Sequence, residues 1–138
     1  MKKNIRLTLT GCQQDESGEE LVTETHVPAQ AYEKNGTLYL FYEESSEDTR
    51  SVTRNRIKLK GNLLELTKQG EINTRMVFEP GCEYLTDYAT PFGSLKILIS
   101  TRALDIRTER NRLQIRIDYL LSSQGTLVSR CRLTLLAE

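Results

Sequence analysis

The run RLQIRIDYLLSSQGTLVSRCRLTLL, residues 112–136, decides the fold. In its first half Leu113, Ile115, Ile117 and Tyr119 alternate with Arg112, Gln114, Arg116 and Asp118. In its second half Leu127, Cys131, Leu133 and Leu135 oppose Val128, Arg130, Arg132 and Thr134. A period of two marks a strand with one buried face, because successive side chains of a strand point to opposite sides. Gln124-Gly125 separates the two halves, and glycine accepts the positive φ that a tight hairpin turn requires. The stretch therefore reads as an antiparallel hairpin, apolar on one side and polar on the other.

The same grammar extends outward in both directions. SLKILIST places Leu95, Ile97 and Ile99 on one face and Lys96 on the other. NIRLTLT (Ile5, Leu7, Leu9) and GTLYLFYEE (Leu38, Leu40, Tyr42) repeat the pattern. In TRNRIKLK, Ile57 and Leu59 oppose Arg54, Arg56, Lys58 and Lys60. No segment carries an i, i+3, i+4 apolar stripe of helical length. The eight glycines are all read as lying at or beside turns, with Asn35-Gly36, Gly61, Gly70 and Gly125 between strand-like runs. Thr90-Pro91-Phe92-Gly93 is read as a further corner, with proline at the second turn position and glycine at the fourth. Counting runs between corners predicts about nine or ten strands joined in sequence. A single sheet of that length curls, and closure removes its exposed edges. The expectation is an all-β, antiparallel up-and-down barrel, one domain over residues 1–138, with no linker, no low-complexity tract and no second domain.

Composition narrows the setting. The 138 residues are enough to bury roughly two-thirds of the unfolded surface without disulfides or a metal. No apolar run approaches the ~20 residues of a membrane-spanning helix, and MKKNIRLTLTG lacks the apolar core of a signal peptide. The three widely spaced cysteines suit free thiols, so a cytoplasmic location is expected. The net charge of zero hides an asymmetry: residues 1–49 carry four basic and ten acidic side chains, and the remainder has the opposite excess.

The stretch 88–101, YATPFGSLKILIST, resembles the Y-x-T-P-[YF]-G-x-L…T signature of the YwiB-like bacterial family. Leu40-Phe41-Tyr42-Glu43, Met76-Val77-Phe78-Glu79-Pro80-Gly81 and Ile117-Asp118-Tyr119-Leu120 resemble further segments of that family. The resemblance covers residues 5–136 and implies a lipocalin-like (calycin) barrel of unknown function. Where the family usually has an arginine two residues before the hairpin glycine, this chain has Lys68. Lysine keeps the charge and loses the planar fork that grips a carboxylate in two places.

Most enzyme signatures are missing. One histidine, His26, cannot build an H-E-x-x-H site, and no cysteine pair has zinc-binding spacing. There is no G-x-S-x-G elbow and no phosphate-cradling G-x-x-x-x-G-K-[ST] loop. Cys131 lies on an apolar face, where a thiol is ordinarily inert. Glu43-Glu44 and Glu47-Asp48 fall in EESSEDTR, read as a solvated hairpin loop without EF-hand spacing. The reading names no catalytic residue, no metal ligand, no cofactor, no membrane and no oligomeric state. Nucleic acid is disfavoured because no aromatic alternates with the basic row. What remains is a barrel that binds a small amphipathic or anionic molecule inside. By strand parity Tyr42, Asn55, Lys68 and Tyr119 share faces with buried aliphatics, and Tyr88 and Thr90 border the proline corner. Those six are the candidate ligand-binding residues, with Lys68 as the counter-charge. The alternative is a protein or nucleic-acid interface on the outer face of Arg54, Arg56, Lys58 and Lys60.

Overall fold

The computed structural model describes residues 2–45 and 50–138. Their alternation is realised as ten strands: β1 (Lys3–Gln14), β2 (Glu20–Lys34), β3 (Thr37–Ser45), β4 (Val52–Lys60) and β5 (Leu63–Gln69), followed by β6 (Asn73–Phe78), β7 (Glu83–Thr90), β8 (Gly93–Glu109), β9 (Arg112–Ser123) and β10 (Thr126–Ala137). Each pairs antiparallel with its sequence neighbour, and β1 closes on β10. Closure extends past the ladder, where Arg6 and Glu138 exchange backbone hydrogen bonds of 2.8 and 3.0 Å. The result is a closed antiparallel barrel, which removes the exposed edges of a long sheet. Among the described residues no helix is long and apolar enough to cross a membrane.

The opening hairpin forms as its turn chemistry predicts. Gln124 and Gly125 have φ of 53° and 79°, the left-handed pair that matches strand twist in a two-residue hairpin. Asn35-Gly36 does the same between β2 and β3, with φ of 53° and 79°. The Pro91-Phe92 corner likewise joins β7 to β8, with Thr90 paired to Gly93 across it.

Three sequence readings need correction. Gly11 is not at a turn but inside β1, opposite Leu133 and Thr23. A Cβ there would stand 3.0 Å from Thr23 Oγ1, so its glycine identity keeps that wall thin. Leu127 does not share the inner face with Cys131. A β-bulge between Leu127 and Ser129 inserts one residue, and Val128 borders the interior instead. Glu43 and Glu44 belong to β3 rather than to a loop. The other half of that acidic cluster, Glu47-Asp48, lies outside the described residues.

Up-and-down order gives the barrel two distinct ends. The β1–β2, β3–β4, β5–β6, β7–β8 and β9–β10 connections gather at one end, called the mouth below. The remaining connections, the start of β1 and the end of β10 lie at the base. Toward the base, Leu7, Leu40, Leu59 and Leu104 fill the interior. Above them Ile57, Leu64, Phe78, Ile115 and Leu135 form a second apolar layer that is the floor of a hollow upper half.

The β6–β7 pairing is the weakest part of the wall. Only Asn73↔Ala89 and Thr74↔Tyr88 are in register there. Lower down, the Thr86 hydroxyl donates to the Arg75 carbonyl and lies 3.3 Å from the Thr74 hydroxyl. These side-chain bonds stand in for ladder bonds, as a buried backbone carbonyl requires a partner.

Candidate ligand-binding site

The upper half of the barrel encloses a chamber of about 520 Å³. That lies within the range of small-molecule sites, roughly 300–1,000 Å³. Inward positions of six strands line it with apolar side chains: Leu9 on β1, Leu66 on β5, Met76 on β6, Ile97 on β8, Leu121 on β9 and Leu133 on β10. Leu21, Leu95 and Val128 edge the mouth as exposed apolar side chains.

Strand register assembles polar groups above this apolar wall. Tyr42 stands opposite Asn55, Asn55 opposite Lys68, Lys68 opposite Thr74, and Thr74 opposite Tyr88. This is one continuous row across β3 to β7. A second row runs Thr101, Tyr119, Cys131, Gln13, Leu21 across β8, β9, β10, β1 and β2. Five of the six predicted ligand residues, Tyr42, Asn55, Lys68, Tyr88 and Tyr119, thus fall in the two rows. Thr90 does not: its hydroxyl donates to the Gly93 carbonyl at 3.0 Å and accepts from the Phe92 N–H at 3.2 Å. It holds the corner, and Phe92 at that corner is 99% exposed.

The first row is organised around a charge. Lys68 Nζ donates to Glu44 Oε1 at 2.6 Å and to Asn55 Oδ1 at 2.9 Å. Asn55, buried, donates in turn to the Thr53 carbonyl at 3.3 Å. Burial, and then the Glu44 carboxylate, pushes the phenols of Tyr42 and Tyr88 above their ordinary range. Both therefore stay neutral hydroxyls near pH 7. Neither has a hydrogen bond to a protein group among the described residues, and both line the chamber.

Within the second row, Gln13 and Cys131 are linked through Ser129 by neutral groups. Gln13 Nε2 donates to Ser129 Oγ at 3.0 Å, and Ser129 Oγ lies 3.4 Å from Cys131 Sγ. Burial raises both the Cys131 thiol and the Tyr119 phenol, and Cys131 adds to the shift on Tyr119. A thiol held in its neutral form is a poor nucleophile. The Tyr119 ring packs edge-on against Phe78, with centroids 4.9 Å apart.

Sequence reading missed Glu44, Gln13, Thr74 and Ser129. Glu44 was within reach, because it sits two residues from Tyr42 and shares its face by parity. The polarity of the EESSEDTR stretch hid it. Gln13, Thr74 and Ser129 required cross-strand register, which no local pattern carries.

The outer basic face has a different character. Arg54, Arg56, Lys58 and Lys60 do project outward in a row from β4. Acidic partners interleave with them, however. Glu65 on β5 lies 3.7 Å from Arg56 and 2.7 Å from Arg75, and Glu43 stands opposite Arg54. The Arg75 hydrogen bond holds the Glu65 carboxyl below the ordinary carboxylate range. His26, on β2, is exposed and contacts Thr8 Oγ1 at 3.2 Å and Glu24 at 3.6 Å. Among the described residues no three His, Cys, Asp or Glu side chains gather in a metal-holding group.

Among solved structures, the chain is similar to the ywiB protein from Bacillus subtilis, with a TM-score of 0.87 at 20% identity. The similarity covers 99% of this chain and 92% of that one, and at this identity it speaks for the fold. No curated protein matches the sequence. The family model described as "Domain of unknown function (DUF1934)" matches residues 7–135. With nearly the whole barrel inside that match, the chain belongs to this family, the YwiB-like proteins of unknown function.

Proposed function

We propose that this protein binds a small amphipathic molecule in the upper half of its barrel, without catalysing a reaction on it. The observation that carries this reading is the chamber of about 520 Å³, apolar along its wall and crossed by two polar rows. An apolar cavity with a few convergent polar groups is the usual form of a small-ligand site. The apolar part of the ligand lies against Leu66, Met76, Leu121 and Leu133. Its polar part meets Lys68, Tyr42 and Tyr88 on one side and Tyr119 on the other. Leu21, Leu95 and Val128 give the mouth an apolar edge past which such a molecule enters.

The absence of an activated nucleophile among the lining residues supports a binding role. Burial holds the Cys131 thiol above its ordinary range, and Lys68 is paired with Glu44. The interleaved acids of the outer face give the alternative, an interface on Arg54–Lys60, no comparable support. A cytoplasmic setting remains part of the proposal, resting on the three free cysteines.

Native mass spectrometry of protein purified gently from its own host tests the reading. The expected result is a retained mass that disappears on denaturation. A bare protein mass at every charge state, together with no uptake of added amphiphiles, contradicts it.

A further inference from the structure

Lys68 enters the chamber already paired, and the two members of the pair are unequally held. The Lys68 side chain is 17% exposed and that of Glu44 is 41% exposed. Glu44 is the penultimate residue of β3, at the mouth, so rotation of its side chain returns the carboxylate to water. Lys68 is less free to leave, because it faces the chamber from β5, opposite Asn55 on β4, with its side chain largely buried. An ammonium stripped of its counter-ion in a half-buried site is strongly disfavoured. Opening the pair therefore costs least when another anion takes the place of the carboxylate.

The surroundings are prepared for that exchange. An ammonium has three hydrogens to donate. Two go to Glu44 and Asn55, and among the described residues the third meets no acceptor. The Tyr42 and Tyr88 hydroxyls stand on the same cross-strand row and are likewise unclaimed. All three can donate to an acceptor-rich group that enters the chamber. Asn55 stays in place throughout, being 3% exposed and tied to the Thr53 carbonyl.

Building on the binding function proposed above, we infer that Glu44 is a removable counter-ion. The ligand is then a singly charged anionic amphiphile whose head group displaces the Glu44 carboxylate from Lys68. An uncharged amphiphile gains the same apolar burial but leaves the Lys68–Glu44 pair intact. The two kinds of ligand must then respond differently to changes at Glu44 and Lys68.

Calorimetric titration with decanoate and with decanol reads this out on the intact protein, Glu44→Gln and Lys68→Met. Glu44→Gln removes the competing charge and is expected to tighten decanoate about fivefold, the upper range for a partly exposed ion pair. Lys68→Met is expected to weaken decanoate by about tenfold, as losing a partly buried charge partner does. The charge-dependent part is read as the ratio of decanoate to decanol affinity, which should rise in Glu44→Gln and fall in Lys68→Met. Glu44→Ala, which removes the acceptor as well as the charge, must place decanoate in the same order. Thermal melts establish that each variant is folded.

Decanoate binding that is unchanged or weakened in Glu44→Gln overturns the inference. So does decanol binding without any preference for decanoate in Glu44→Gln; both results leave the binding function standing. If neither compound binds the parent protein or any Glu44 variant, the inference and the binding function fall together.

Discussion

Phe78→Ala is expected to lower the unfolding free energy by about 3–5 kcal/mol, the range for truncating a buried aromatic. Phe78 is 1% exposed at the end of β6, opposite Leu64, and it forms part of the chamber floor. Its ring also holds Tyr119 edge-on, a contact of about 0.5–1.5 kcal/mol beyond area burial. Collapse cannot repair the loss. The space vacated merges with the chamber above it, and the wall beside it is the β6–β7 seam with two register pairs. Against a total stability of about 5–15 kcal/mol, this is a large fraction. Urea unfolding should show a lower midpoint at an unchanged slope. A shift of less than about 1 kcal/mol would mean that the ring is not packed as described.

Gly70→Ala is expected to cost about 3 kcal/mol or more, combining backbone strain with a steric clash. Gly70 has φ of 147°, where side chains are rarely found. A Cβ there would stand 2.8 Å from Thr53 Cα and would also press into the Val52 carbonyl oxygen. Both obstacles are backbone atoms of β4, so neither can rotate away. Asn73 locks the turn from the other side, accepting from the Gly70 N–H at 3.2 Å and donating to its carbonyl at 2.7 Å. Because Lys68 lies two residues upstream, the displacement also carries the charged group of the chamber with it. Gly61→Ala is the control. Gly61 has φ of 58°, and a methyl added there would meet nothing within 4 Å, so its cost should be about 1–2 kcal/mol. Equal stabilities for the two variants, measured by chemical denaturation, would contradict the close approach of the β5–β6 turn to β4.

Much of the barrel was legible because alternation is a local signal and closure follows from strand number. The ten strands among the described residues lie at the upper end of the expected nine or ten. Parity also placed Tyr42, Asn55, Lys68 and Tyr119 on inner faces. Local pattern failed where one residue changed the phase or where polarity masked it. The bulge before Ser129 exchanged the roles of Leu127 and Val128. Gly11 read as punctuation when it is a thin place in a wall. Glu44 read as loop because its neighbours are charged, although its parity with Tyr42 pointed inward. Parity gives a side chain's face but not its height in the barrel, so the meeting of Tyr42, Lys68 and Tyr88 in one row emerged only from register. Whether the interior is filled depends on summed side-chain volumes against barrel radius, and no stretch of sequence records that.

The open volume is the central claim, and Leu133→Trp tests it most directly. Leu133 lies on the chamber wall between Ile117 and Gly11. The sequence contains no tryptophan, so the introduced indole is a sole reporter. Equilibrium urea unfolding followed by its emission should give a stability within about 1 kcal/mol of the parent, because the ring enters space that is already vacant. A loss of about 1–3 kcal/mol, the cost of overpacking a filled core, would contradict the chamber.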